Sequence, residues 1–174
     1  IPEDAAMEHV LGYAVGLDLT LRDLQAEAKK KGEPWDLSKG FDGSAPVSHV
    51  VPRESAGDVS ALALTLDVNG VRRQEGSVGE MLYGVAALVA YASRWITLER
   101  GDLLFTGTPS GVGPLVAGDT VVARLSDLAT LTVTKLGSDG DWPVNVLTFA
   151  LLSGPTNAML DAASGVVTWT PTEA

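Results

Sequence analysis

Apolar and polar positions divide the chain into segments of different period. Leu11–Leu17 is a nearly continuous apolar run that ends at Asp18, which predicts a buried strand. Leu62, Leu64, Leu66 and Val68 alternate with Ala63, Thr65 and Asp67, the two-residue period of a half-buried strand. Asn69-Gly70 follows at once and predicts a tight hairpin, because both positions of such a turn need positive φ. Helical spacing appears twice. Leu21, Leu24 and Ala28 share one face of a helix over Thr20–Lys31, with Thr20 and Asp23 as a capping box and Gly32 and Pro34 as a stop. Met81, Leu82, Val85, Leu88, Val89 and Ala92 predict a longer helix over Glu80–Trp95, opened by a Ser77/Glu80 capping box. A short helix is expected over Asp4–Val10, and further strands at Leu103–Gly107, Thr120–Leu125 and Thr130–Lys135, with Gly40–Pro52 as loop. The mix is a strand-dominated α+β fold.

Composition bounds the function classes. With 174 residues the chain can bury one good core. Its hydrophobic fraction of 45% and charged fraction of 20% are those of a globular protein, and no apolar run is long enough to span a bilayer. A net charge of −10 argues against a nucleic-acid partner, which calls for clustered Lys and Arg. No cysteine is present, so disulfide frameworks and thiolate metal sites are excluded. Every Lys and Arg lies at or before Lys135, after which the chain becomes rich in Leu, Thr, Val, Ser and Pro. This change places a boundary between residues 1–135 and 136–174. In the second piece Val144–Leu152 and Val166–Thr170 read as strands with a turn at Ala163-Ser164-Gly165, a short β tail.

Several polar blocks invite chemistry. Asp18 stands at a strand end just before a helix, where a carboxylate can cap the helix or face a site. Arg22 and Gln25 are three apart and share a helix face near it. Lys39 sits between Trp35 and Phe41, either a solvated charge or one wall of a partly closed pocket. The run Thr106-Gly107-Thr108-Pro109-Ser110-Gly111-Val112-Gly113 is a turn-rich loop whose backbone N–H groups can converge on an anion. It is not a nucleotide P-loop, because Pro114-Leu115 replaces the required Lys-Ser/Thr. Arg73-Gln74-Glu75-Gly76 precedes the second helix.

In this order, the blocks Gly16–Gln25, Lys39–Asp42, Arg73–Gly76 and Thr106–Gly113 resemble the fumarylacetoacetate hydrolase family, in particular its acylpyruvate and fumarylpyruvate hydrolase branch. The resemblance covers residues 1–135 and implies that family's mixed β roll, two flanking helices, and an incomplete N-terminus. It implies that Asp18 ligates Mg²⁺ or Mn²⁺, that Lys39, Arg22 and Gln25 act in catalysis, and that Thr108, Gly107, Arg22 and Gln25 hold a keto-acid substrate. It implies a homodimer, a cytoplasmic catalytic part, and that Arg73-Gln74 supports the site and the dimer interface. The family's two other carboxylate ligands form a Glu-x-Glu pair, and this sequence has none; neither His9 nor His49 matches the family's water-activating histidine. The expected activity is therefore metal-dependent hydrolysis of a carbon–carbon bond in an acylpyruvate or related 1,3-diketo acid, impaired in this chain. Oxaloacetate decarboxylation shares the same enolate and is the alternative.

Residues 136–174 resemble a fragment of a bacterial cadherin-like or immunoglobulin-like surface repeat. Asp139, Asp141 and Asn145 then stand as a Ca²⁺ site, or as an acidic linker. If that tail were the working part, the chain would be a non-catalytic structural or adhesion module.

Overall fold

Strand alternation around the Asn69-Gly70 hairpin builds the centre of the fold. In the computed structural model, which describes residues 1–134 and the backbone of Met159–Leu160 and Val167–Thr168, Asn69 and Gly70 have φ of 52° and 78°. They join β3 (Ala63–Val68) to β4 (Val71–Ser77). After β1 (Gly12–Tyr13) and β2 (Val51–Pro52), the main sheet has four antiparallel strands in the order β4-β3-β5-β6, with β5 at Thr120–Leu125 and β6 at Ala129–Thr134. The helices are α1 (Arg22–Lys31), α2 (Asp36–Lys39) and α3 (Val85–Ala92), with 3₁₀ turns at Glu3–His9, Arg53–Ser55, Val59–Ala61 and Val78–Glu80. The α+β, strand-dominated class expected from the sequence holds.

Two compact units divide the chain: Ile1–Leu115 with Asp119–Thr134, and Val116–Gly118 with Lys135–Ala174. In the second, β7 (Met159–Leu160) pairs antiparallel with β8 (Val167–Thr168). The strand expected over Val144–Leu152 and the Ca²⁺ ligands Asp139, Asp141 and Asn145 lie outside the described residues.

One face of the main sheet forms the core. Val68, Val121, Ala123, Leu125 and Ala129 are buried there together with Val15 and Leu17. The segment around residues 12–19 is not the regular strand that its apolar run predicts. Only Gly12 and Tyr13 form a ladder, with Pro52 and Val51, and Gly16 makes one isolated bridge to Val47. Its backbone is nonetheless satisfied by the segment read as loop. Leu17 N–H donates to the Pro46 carbonyl at 2.9 Å, Leu19 N–H to that of Ser44 at 2.8 Å, and Ser48 N–H to that of Val15 at 2.9 Å. Pro46 cannot donate in return, which explains why an irregular partner replaces a ladder.

Three other boundaries differ from expectation. The Thr20/Asp23 capping box does not form; α1 starts at Arg22 with Leu21 at its N-terminus and no side-chain cap, and Leu21 N–H donates to the Ser38 carbonyl at 3.0 Å. The Ser77/Glu80 box does form, but it caps the 3₁₀ turn Val78–Glu80; Met81 is extended and α3 begins only after Gly84. Leu103–Gly107 joins no strand, and Leu103, Leu104 and Phe105 are 56%, 43% and 42% exposed.

The outer face of the sheet carries a charge network. Arg72 Nε donates to Asp67 Oδ1 at 2.6 Å, Arg124 Nη1 to Asp67 Oδ2 at 2.8 Å, and Arg72 Nη1 to Glu75 Oε2 at 2.7 Å. The Arg72 hydrogen bond, joined by that of Arg124, holds the Asp67 carboxyl below its ordinary value of 3.8. A depressed carboxyl stabilises the fold above its unfolded-state pKa and loses that contribution as the pH falls through the folded one. Asp67→Asn is therefore expected to lower the urea midpoint at neutral pH, and to flatten its decline below about pH 4. Parallel midpoint-versus-pH curves for the two proteins would contradict this.

Candidate functional site

Asp18 owes its place to alternation. Val15 and Leu17 turn into the core, so Gly16 and Asp18 project from the other side of the segment. That side is where Phe105 lies: a Cβ on Gly16 would come within 2.8 Å of the Phe105 ring and of Val47. The segment leading to Thr108 therefore runs against the face that presents Asp18.

Lys39 reaches Asp18 from α2. Its predecessor Ser38 is 1% exposed; Ser38 Oγ donates to the Trp35 carbonyl at 2.7 Å, and its own carbonyl accepts from Leu21 N–H. With this turn pinned to the start of α1, Lys39 Nζ donates to Asp18 Oδ2 at 2.7 Å. The side chains are 34% and 56% exposed, respectively. A pair this open is worth at most about 1 kcal/mol, so a ligand can part it. Trp35 does not enclose the lysine as expected: it is 45% exposed and lies under Lys29 Nζ, 4.8 Å from its ring centroid.

On α1, Arg22 and Gln25 differ in environment. Arg22 is exposed, and among the described residues no carboxylate pairs with it. Gln25 is 6% exposed, and no described residue hydrogen-bonds its side-chain amide. No fully buried side-chain nitrogen or oxygen lacks a partner among the described residues, so this amide still meets solvent and is available to a ligand.

The Thr108 loop is held by β4. Gln74 Nε2 donates to Thr108 Oγ1 at 2.8 Å and to the Pro109 carbonyl at 2.7 Å. Gly111, at φ 102°, sits so close to the Arg73 carbonyl that a Cβ would overlap it, and a Cβ on Gly76 would press on Pro109 at 2.9 Å. The register explains this closeness. Leu66 pairs with Gln74 but Asp67 pairs with Arg72, so Arg73 is the extra residue of a β-bulge on an edge strand. The sequence points to the Arg73–Gly76 block but not to this bulge, nor to Gln74 as the residue that grips Thr108. Val71–Ser77 is mostly polar and carries no alternation that would mark Gln74 as inward.

The described residues do not by themselves suit a divalent cation. Asp18 is a single carboxylate with one oxygen occupied by Lys39, and among the described residues no three His, Cys, Asp or Glu side chains gather. Mg²⁺ and Mn²⁺ call for several oxygen ligands. His9 and His49 are both exposed. A hollow of about 540 Å³, lined by Met7, Tyr13, Arg53, Ser60, Val78, Met81 and their neighbours, contains none of the expected site residues. Burial there raises the Tyr13 hydroxyl above its ordinary pKa, with Arg53 opposing.

Comparison with known proteins agrees with this arrangement of fold and loops. The family model for the fumarylacetoacetate (FAA) hydrolase C-terminal domain matches residues 1–135. The chain is 50% identical over 131 residues to the mouse mitochondrial oxaloacetate tautomerase FAHD1, covering 75% of this chain and 59% of that protein. It is 47% identical over 118 residues to the Escherichia coli oxaloacetate tautomerase YcgM, covering 67% of this chain and 54% of that one. Among solved structures it resembles the fumarylpyruvate hydrolase of Pseudomonas aeruginosa in complex with Mn²⁺ and pyruvate, with a TM-score of 0.75 and 42% identity over 78% of this chain and 58% of that one. The protein belongs to the fumarylacetoacetate hydrolase family. It spans about 59% of the length of the mouse relative.

Proposed function

We propose that the protein binds a 2-oxo dicarboxylate and stabilises its enolate, as a keto–enol tautomerase of an oxaloacetate-type acid. The Lys39–Asp18 pair carries this reading. When solvent water takes a proton from the carbon beside a ketone, negative charge is left on the oxygen until it is protonated, and an ammonium fixed beside that oxygen lowers the barrier. Lys39 has three donors, of which Asp18 takes one. Arg22 supplies a planar fork suited to the far carboxylate, Gln25 an amide for the carbonyl region, and Thr108 with Gly107 the grip on the near carboxylate. The tautomerase names of the mouse and Escherichia coli relatives support the reaction class.

Asp18 would be one ligand of a divalent metal, Mg²⁺ or Mn²⁺, whose other ligands come from outside the described residues. The Mn²⁺ complex of the Pseudomonas relative supports a metal of this kind. A homodimer is part of the same proposal. Among the described residues no helix is long and apolar enough to cross a membrane. The mouse relative is named as mitochondrial, which does not support the cytoplasmic expectation.

Acylpyruvate hydrolysis is the second reading, favoured by the likeness to the fumarylpyruvate hydrolase. It needs an activated water, whereas tautomerisation does not. Oxaloacetate enol supplied to this chain with Mn²⁺ separates the readings. Enol loss without pyruvate release supports tautomerisation. Pyruvate release in step with enol loss, or acylpyruvate cleavage at a higher rate, would overturn it.

A further inference from the structure

We propose that Gln74 is a positioning residue that fixes the hydroxyl of Thr108 as an outward hydrogen-bond donor, and so selects an oxygen anion over an amide at that end of the site. The assignment rests on the reading of Thr108 as a ligand contact.

The polarity follows from what each atom can do. A carbonyl oxygen only accepts, so the Gln74 atom 2.7 Å from the Pro109 carbonyl is the nitrogen, and the amide has one orientation. Its two hydrogens are then committed, one to Pro109 and one to Thr108 Oγ1 at 2.8 Å. Thr108 Oγ1 accepts from within, and its own proton must point elsewhere. Thr108 is exposed, so that proton faces the solvent side, where a carboxylate or enolate oxygen can take it.

The arrangement is rigid where it needs to be. Gln74 is 8% exposed and sits across from Leu66 on the inward row of the sheet. The bulge at Arg73 sets its direction, and Gly76 and Gly111 let the loop approach β4 without a Cβ between them. Turning this buried amide away would leave both donors unpaired, which costs free energy.

The test is the ratio of oxalate to oxamate affinity, read by calorimetry on the full chain. Oxalate offers only acceptors; oxamate replaces one carboxylate by an amide that donates. Gln74→Glu places an acceptor against Thr108, which must then donate inward and turn its lone pairs outward. The preference for oxalate over oxamate is expected to fall by about tenfold, with oxamate binding retained. Gln74→Met fills the same space without polarity and frees the hydroxyl to rotate, so the preference falls partway. If Gln74→Glu and Gln74→Met weaken both ligands by one common factor, Gln74 is merely structural and the assignment is overturned, while the keto-acid reading stands. If the unsubstituted chain binds neither oxalate nor oxamate, the keto-acid reading fails, and the assignment with it. Where Gln74→Glu unfolds the chain, Gln74→Met and the exchange rates of the Gln74 amide protons decide: both protons slowed supports the assignment, and free exchange overturns it.

Discussion

Gly111→Ala is expected to destabilise the protein by about 3 kcal/mol and to lower its Tm by roughly 10 °C. Two independent effects meet at this position. A φ of 102° is strained for any residue with a Cβ, worth about 1–3 kcal/mol. The added methyl would also overlap the backbone carbonyl of Arg73, which cannot rotate away as a side chain would. Two other glycines of the same loop separate the effects. Gly107 has a φ of 108° with open space around it, so its alanine variant should show backbone strain alone, about 1–2 kcal/mol. Gly113 has neither feature, and Gly113→Ala should fall within about 0.5 kcal/mol of the parent. Urea denaturation of the three variants checks the order. Equal effects at Gly111 and Gly113 would mean that the loop is not seated on the bulge.

Lys39→Met should leave stability nearly unchanged and lower kcat for the oxaloacetate-type enol by about 10²–10³-fold. The methionine keeps the stem and removes the ammonium. The stability effect is small because the ion pair with Asp18 is half exposed. The catalytic effect is large because charge develops on the enolate oxygen during reaction, when a fixed positive group counts most. KM should change less than kcat, since in the proposed complex Arg22, Gln25 and Thr108 also hold the ground-state acid. A variant with parental kcat would remove Lys39 from the chemistry.

Much of the fold was legible where local and tertiary preferences agree. The alternation Leu62–Val68, the Asn69-Gly70 turn and the Thr120–Leu125 run became β3, its hairpin and β5 with small shifts. Gly32 stopped α1 as a left-handed cap. Expectation failed where tertiary contacts outbid local signals. Leu21 N–H bonds Ser38 across the chain, and α1 begins at Arg22 with no cap from Thr20. Gly84 restarts the second helix late, and β4 was hidden because Val71–Ser77 is mostly polar at a sheet edge. Leu103–Gly107 reads as a strand but has no partner strand among the described residues.

The candidate site divides in the same way. Asp18, Lys39 and Thr108 stood out through spaced motifs: Asp18 at the end of an apolar run, Lys39 before Gly40-Phe41-Asp42, and Thr108 within a glycine-rich loop. Their geometry did not. That Lys39 binds Asp18 depends on the Ser38 carbonyl being tied to Leu21 N–H, and the grip of Gln74 on Thr108 depends on a one-residue bulge. Both are long-range events between segments that carry no mutual signal in sequence.

The central claim is that Asp18, Gln25, Lys39 and Thr108 face one oxo-acid ligand. Amide and side-chain NMR of the 174-residue chain during titration with oxalate tests it directly. Shift changes are expected at the Gly107, Thr108 and Gly111 amides, at Lys39, and at the Gln25 side-chain amide, while the hollow lined by Tyr13, Arg53 and Met81 stays unchanged. Shifts confined to that hollow, or a silent Thr108 loop beside a responding Lys39, would contradict it.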